Sequence, residues 1–396
     1  MDPASFQPDA PGTLVETEFR QIVVGGTSRI IRGHAFVPHP LPPDLDPVIL
    51  RGRLFDQLER TRVLLERLDA KVGSLPSKMI LLTAMRAREA QASSRIENTV
   101  ASLREIELAR ADADRVPDDA REAARNYLMI ERGLESRLPI CSRLLFELHQ
   151  VLIRDPKLRP GEWRDRPVYI GDHIRGFAGS RFVPPPADRV PALMGDWEKN
   201  VNAQRSERRF PYLVELAFAH YQFETIHPFN DGNGRLGRAL VNLAPVKDEE
   251  LRYPVCNLSE WVQAHRGEYY DRLLEVSTKN AWEDWTRFFC AAIGEQAQAD
   301  LARAERVEQL YIAYCGKITG RRKSSVVRRL VDHIFERRVI STQQAADAMG
   351  VSYTAAQRHI ADLVKLEILA PLDDAKYAKL YIAQGVLDAI RGDGEE

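Results

Sequence analysis

No run of about 18 apolar residues occurs in this chain, so no transmembrane helix is expected. Cysteine is scarce: Cys141, Cys256, Cys290 and Cys315 are the only four, and none forms a C-x-x-C pair or lies near clustered histidines. A disulfide framework and a structural zinc site are therefore excluded as expectations, and four thiols in a reducing compartment are expected instead. Charge bias is also lacking. Lys plus Arg number 56 against 57 for Asp plus Glu, a formal net charge of −1, so nothing draws the whole chain toward nucleic acid or an anionic membrane. The start, MDPASFQPDAPG, has no charged segment leading into an apolar one, and no repeat of 20 to 50 residues is visible. These absences predict a cytoplasmic globular protein with no membrane partner, and 396 residues allow about two to three domains.

What is present is mostly helical texture. Residues 1–45 are rich in Pro, Gly and Asp and read as an N-terminal arm, with a short hairpin at FRQIVVGGTSRIIRG. From 46 to 130 the spacing predicts helices. Leu54, Leu58, Val63 and Leu65 repeat at helical intervals, and Gly73 can end that element. One long helix is then expected across KMILLTAMRAREAQASSRIENTVASLREIELARA, which contains no Gly or Pro and carries Ile96, Val100 and Leu103 on one stripe. Residues 160–194 change character. Gly and Pro abound, with short β-type runs at Val168–Ile170 and Phe182–Val183, which reads as a hairpin flap. Helical texture resumes at Pro211 and continues to about 320. Near the end, Ser341 or Thr342 can cap a helix, Gly350 can make a turn, and Ser352 can cap a second helix bearing Ile360, Leu363 and Val364. That is helix-turn-helix spacing, followed by a segment that can form a wing.

The chemistry concentrates in HPFNDGNGRLGR, His227 to Arg238. Its GNGRLG fits the glycine fingerprint of a dinucleotide turn, but that turn needs a preceding β-strand. Here Leu213, Leu216, Ala217, His220 and Tyr221 recur at helical spacing instead. A Walker A loop needs Lys-Ser/Thr after the last Gly, and an EF-hand needs an oxygen ligand where Arg235 stands. A plain helix–turn–helix loop accounts for Asp231–Gly232 but not for two arginines three residues apart on one helical face. Gly232, Asn233 and Gly234 open a helix whose end favours an anion approached by backbone N–H groups. Asp231 is a hard oxygen ligand suited to Mg²⁺, Arg235 and Arg238 offer planar donors to phosphate, and His227 can take a proton near neutral pH. This is the inventory of a nucleotide-polyphosphate site with a general base.

The stretch resembles the signature of the Fic family, H-x-F-x-[D/E]-G-N-G-R-x-x-R, at every specified position. The resemblance extends to PGEWRDRPVYIG and FVPPPADRVPALM as the flap, and to RGEYYDRLLEV and WEDWTRFF as the end of the core. It implies a mainly α fold: an N-terminal helical region (46–130), a Fic helical core with a β-hairpin flap (131–295), a connecting helix (296–320) and a winged helix-turn-helix (321–396). It further implies transfer of AMP from ATP–Mg²⁺ to a Tyr, Thr or Ser hydroxyl of a protein target, with self-modification. By resemblance, His227 is the base, Asp231 holds Mg²⁺, Gly232, Asn233 and Gly234 form the anion hole with Arg235, Arg238 pairs with the γ-phosphate, and Phe229 anchors the loop inward. Val168, Tyr169 and Ile170 would pair with an extended target segment. Relatives that transfer phosphate carry Lys in place of the second Gly; Gly234 is present here.

SSRIEN resembles the family's inhibitory motif [S/T]-x-x-x-E-[G/N] through Ser93, Glu97 and Asn98. If the helix continues, Ser93, Ile96, Glu97 and Val100 share one face. By resemblance Glu97 would reach Arg238 and take the γ-phosphate's place, so the chain would inhibit itself. Two other functions fit the same residues: AMP removal by a water that Glu97 orients, and an ATP-sensing DNA-binding regulator. The C-terminal module offers Arg358, His359 and Lys365 on its second helix and RRKSSVVRR before it. Such modules serve as DNA-, protein- or dimer-binding units.

Overall fold

In the computed structural model the described residues are 1–22, 28–171, 176–318, 324–372 and 379–391. In chain order, strands β1 (Gly12–Ile22) and β2 (Ser28–Pro38) precede helices α1 (Pro47–Ser74), α2 (Met79–Ile96), α3 (Leu103–Ala111), α4 (Asp118–Glu135) and α5 (Ser142–Leu152). Strands β3 (Ile170–Gly171) and β4 (Ser180–Phe182) follow, then α6 (Val190–Val201), α7 (Tyr212–Ile226), α8 (Asn233–Lys247), α9 (Ser259–Ala264), α10 (Arg266–Lys279) and α11 (Trp282–Ile318). The last part holds α12 (Ser324–Glu336), β5 (Val339–Ser341), α13 (Thr342–Met349), α14 (Tyr353–Lys365), β6 (Ala370–Pro371), β7 (Leu380–Ile382) and α15 (Gln384–Arg391). The fold is mainly helical with small antiparallel sheets.

The chain divides into two compact units. The first comprises Met1–Arg62, Leu128–Asp248 and Trp261–Gly294; the second comprises Val63–Tyr127, Glu249–Glu260 and Glu295–Glu396. In the first unit the core is built where α5, α6, α7 and α8 turn their apolar faces inward: Leu144, Leu148, Met194, Phe223, Leu236 and Leu243 are fully buried. Two indole N–H groups are satisfied on main-chain carbonyls, Trp197 on Ala219 and Trp285 on Ala217, each at a helix face that would otherwise carry buried unpaired donors. The N-terminal arm is more ordered than expected. β1 and β2 pair over eleven residues from Gly12↔Pro38 to Ile22↔Ser28, and the expected Gly-Gly turn lies outside the described residues. Phe19 of β1 stacks on Phe177 at 3.8 Å and meets Tyr169 edge-on at 5.9 Å, so this hairpin packs on the flap.

Three expectations are corrected. The helix expected from 78 to 111 breaks: α2 stops at Ile96, Asn98 is left-handed (φ 66°), and α3 begins at Leu103. The stop has a local cause. Ser102 and Glu105 form a reciprocal capping box, and Asn tolerates the left-handed region better than most residues. Val100 is accordingly exposed rather than on a buried stripe, and Val63 on α1 is exposed too. The flap strand starts at Ile170, so Val168 and Tyr169 precede it; Gly171 permits the irregular pairing with Ser180 at φ 143°. Finally, α6 begins inside the stretch read as a hairpin flap. The proline-rich stretch before it hid a helix that starts with Val190 and Pro191, a position where Pro's missing N–H costs nothing.

In the second unit α2 is buried along nearly its whole length, from Ile80 to Ser94. Arg338 is fully buried and donates to Glu107, to Thr83 Oγ1 (2.8 Å) and to the Phe335 carbonyl (2.8 Å). Glu107 is also held by Arg110 at 2.9 Å. At the C-terminal end, Ser341 caps α13 in a box with Gln344, Gly350 makes the left-handed turn (φ 66°), and Ser352 caps α14. The strand order there is β5-β7-β6. Part of the basic stretch before α12, and the loop between β6 and β7, fall outside the described residues. Because Glu107 would be left with a lost partner in a dry environment, Arg338→Met is expected to destabilise the protein by about 3–5 kcal/mol. Urea unfolding followed by circular dichroism checks this; a loss below about 1 kcal/mol would mean the pair is not structural.

Candidate functional site

The site grows from the end of α7. Its last residue is followed by His227 in the left-handed region (φ 51°, ψ 62°), whose N–H still donates to the Phe223 carbonyl at 3.0 Å. The loop runs to Gly232, also left-handed (φ 78°), which is the N-cap of α8. A side chain at 232 would be strained in that conformation and would press on Leu152 at 3.0 Å. Between these two residues Phe229 points inward and is fully buried. It stacks on the His149 ring at 4.0 Å and leans on Trp163 at 5.0 Å. The Phe229 N–H donates to Asn233 Oδ1 (2.8 Å) and Asn233 Nδ2 donates back to the Phe229 carbonyl (2.9 Å). The Asn233 amide thus closes the loop as a staple, and its contribution to an anion is left to its backbone N–H.

The start of α8 is open for a charge. Its first N–H groups have no intrahelical acceptor, Gly232 supplies no side-chain cap, and no acidic residue lies in the first turn. Arg235 and Arg238 are both buried, 3 % and 1 % exposed, so positive charge is concentrated in a dry setting beside that terminus. Asp231 is half exposed; Oδ1 accepts from the Gly232 N–H at 2.7 Å and Oδ2 lies 3.4 Å from Arg235. Among the described residues no cluster of three metal-ligating side chains exists. One solvent-facing carboxylate fits Mg²⁺ that keeps its waters and arrives with polyphosphate oxygens.

Residues 139–244 match the Fic/DOC family, and residues 55–135 match the Fic/DOC family N-terminal region. The chain carries a Fic/DOC domain preceded by the family's N-terminal region. It is similar to the protein adenylyltransferase Fic of Culex quinquefasciatus, 34 % identical over 145 residues, which are 36 % of this chain and 26 % of that one. It is similar as well to the protein of the same name from Drosophila persimilis, 36 % identical over 114 residues, 28 % of this chain and 20 % of that one. The chain thus spans about a quarter of the length of these curated relatives, or less. In fold it resembles a Fic family protein from Desulfovibrio desulfuricans G20, with a TM-score of 0.51 and 23 % identity over 90 % of this chain and 99 % of that one.

The structure brings His227, Asp231, Gly232, Asn233, Gly234, Arg235 and Arg238 of this Fic core into one loop and helix start. Val168, Tyr169 and Ile170 are half-buried at the flap, whose preceding residues reach the loop: Arg166 Nε donates to Asn230 Oδ1 at 3.2 Å. Ser93, Glu97 and Asn98 belong to the second unit, where Ser93 is buried and Glu97 is the half-buried C-cap of α2. Several residues that shape the loop carried no motif. His149 accepts from the Gly161 N–H on Nδ1 (2.9 Å), so its proton is on Nε2, which donates to the Asp231 carbonyl (3.0 Å). A histidine in the Leu144-Leu145-Leu148-Leu152 stripe of α5 is the signal that could have found it. His220 holds the two helices together, with Nδ1 against the Gly237 carbonyl (3.3 Å) and Nε2 against the Tyr269 hydroxyl (2.8 Å). Gly237 is where α7 and α8 meet, since a Cβ would lie 2.2 Å from Glu224 Oε1.

Both histidines are neutral in the fold. Burial lowers His149 to about 4, and burial with the nearby Arg238 charge lowers His220 to about 3. The unfolded chain takes these protons near pH 6.5, so stability is lost as pH falls from 6.5 toward 4, by roughly 2 kcal/mol per ring at pH 5. His149→Gln is expected to be less stable at pH 7 but to lose less between pH 7 and pH 5. Urea midpoints at the two pH values check this, and an equal drop in both proteins would contradict it.

Proposed function

We propose that this chain transfers AMP from ATP–Mg²⁺ to a hydroxyl of a protein, and that the uncapped, arginine-flanked start of α8 beside His227 carries the reaction. The relatives named protein adenylyltransferase support this reading over the matched core. The polyphosphate lies against the first N–H groups of α8, with Gly232 and Gly234 allowing close approach and Arg235 and Arg238 neutralising charge. Asp231 would hold Mg²⁺, which screens phosphate charge when bound with the nucleotide. His227 takes the proton of the incoming hydroxyl as its oxygen bonds to the α-phosphorus; the bond from that phosphorus to the bridging oxygen breaks and pyrophosphate leaves. The edge of β3, which pairs only with β4 among the described residues, receives an extended target segment, because Val183, just past β4, is already taken by the Phe36 N–H of β2 (2.9 Å).

The Ser93–Glu97–Asn98 motif supports self-inhibition. Glu97 stands where α2 ends, next to the left-handed Asn98. Labelling with ATP carrying a labelled α-phosphate tests base and brake together. Glu97→Gly is expected to label itself more than the unaltered protein, and adding His227→Ala is expected to cost about 10²–10⁴ in rate. Equal labelling of the unaltered protein and Glu97→Gly would remove the brake. Full activity without His227 would remove the base.

The α13–α14 pair with its β5-β7-β6 sheet supports a winged-helix reading of the C-terminal module. For DNA binding, Arg358, His359 and Lys365 of α14 and the basic stretch 321–329 supply the charge. The full chain is then expected to shift duplex DNA at low salt and release it as salt rises. No shift at low salt would end the DNA-binding reading.

A further inference from the structure

Arg164 lies outside the signature loop, yet its side chain reaches the carbonyl at the start of that loop. It is 2 % exposed. Its own N–H donates to the Pro228 carbonyl at 2.9 Å. Its Nε donates to the His227 carbonyl at 2.8 Å, and its terminal nitrogens donate to the carbonyls of Arg166 (3.3 Å), Ile226 (3.3 Å) and Pro185. Among the described residues every hydrogen-bond partner of this guanidinium is a main-chain carbonyl.

Those carbonyls have different origins. Ile226 and His227 are at the end of α7, where the last carbonyls of a helix have no intrahelical donor and carry the negative end of its dipole. Pro185 lies just after β4, in the stem of the flap. A planar group with donors in a fixed fork can satisfy both sets at once; an ammonium, a point donor on a flexible stem, cannot hold the same angles. Burial lowers the Arg164 pKa to about 10, which still leaves it charged at neutral pH. The cation therefore stays in place because oriented carbonyl dipoles replace its water.

We infer that Arg164 is the positioning residue of the proposed general base: it fixes the left-handed backbone of His227 at the end of α7 and registers the flap stem against it. His227 sits at φ 51°, a conformation that a residue with a Cβ adopts only under constraint. The direction of its imidazole depends on that backbone. Among the described residues Arg164 makes no hydrogen bond to the first turn of α8, whose N–H groups and arginines hold the nucleotide in the proposed reaction. Its effect should therefore fall on turnover and spare ATP affinity.

The inference rests on the AMP-transfer reading, and the test separates the two. In the Glu97→Gly protein, Arg164→Lys is expected to lower kcat by about 10–10²-fold, the scale of a 1 Å misplacement of a reacting group. The ATP Kd, measured by titration calorimetry, should stay within about twofold. With His227→Ala already present, Arg164→Lys should add less than about twofold, since a residue acting through His227 has nothing left to act on. Loss of ATP affinity in parallel with kcat, or costs that multiply in the double variant, would overturn the inference. Absence of labelling in every form would instead reject the AMP-transfer reading. The inference is then decided by the His227 ring signals in the NMR spectrum, which must move in Arg164→Lys; unmoved signals overturn it. Arg164→Gln, which keeps an amide donor, serves the same comparisons if the lysine variant does not fold.

Discussion

The loop from His227 to Gly232 has to reverse the chain between two packed helices while leaving the start of the second helix without a side-chain cap. Everything at the site depends on meeting that constraint. Two left-handed residues bracket the loop, and a buried phenylalanine pins its middle. The polar groups of its backbone are then distributed among side chains that come from elsewhere: Asn233 takes both main-chain groups of Phe229, His149 takes the carbonyl of Asp231, and Arg164 takes the carbonyls at the end of α7. A loop tied to its surroundings by this many hydrogen bonds has few alternative conformations, so the charged groups it presents are held in place in advance.

The same accounting explains which charges are buried and which are not. Arg235 and Arg238 are in the interior, and Asp231 is in solvent. Buried cations near an uncapped helix terminus favour a highly charged anion, because both features are strengthened by the absence of water. The two neighbouring histidines are held neutral by burial, so they add hydrogen bonds without adding charge. His149 orients the loop beneath the carboxylate, and His220 fixes the spacing of α7 and α8 at the point where Gly237 lets them touch.

The flap is a composite. Sequence patterning marked β-type runs at Val168–Ile170 and Phe182–Val183, and the structure keeps a two-stranded hairpin there, shifted to Ile170–Gly171 and Ser180–Phe182. What patterning missed is its support. Phe19 on the long N-terminal hairpin stacks on Phe177, and the Phe36 N–H takes the Val183 carbonyl. Alternation within one strand reports which residues face a core, but not which distant strand supplies that core. The break between α2 and α3 was missed for a related reason. A hydrophobic stripe with no Gly or Pro reads as unbroken helix, whereas Ser102 and Glu105 start a new one and Asn98 ends the old.

The sequence by itself determined the mainly helical fold, marked the loop HPFNDGNGRLGR as the candidate site, and carried the likeness to the Fic/DOC domain. These are legible because helical periodicity and local loop chemistry depend on residues close together in the chain. Only the tertiary structure decided that His149, Arg164 and His220 hold that loop, that Asn233 spends its amide on Phe229, and that the N-terminal hairpin braces the flap. Each of those contacts joins segments distant in sequence except the Asn233 staple, and that one needs the turn to be folded before donor and acceptor meet. A buried arginine or histidine leaves no local signature: what selects its position is a set of carbonyls that converge only once the helices have packed.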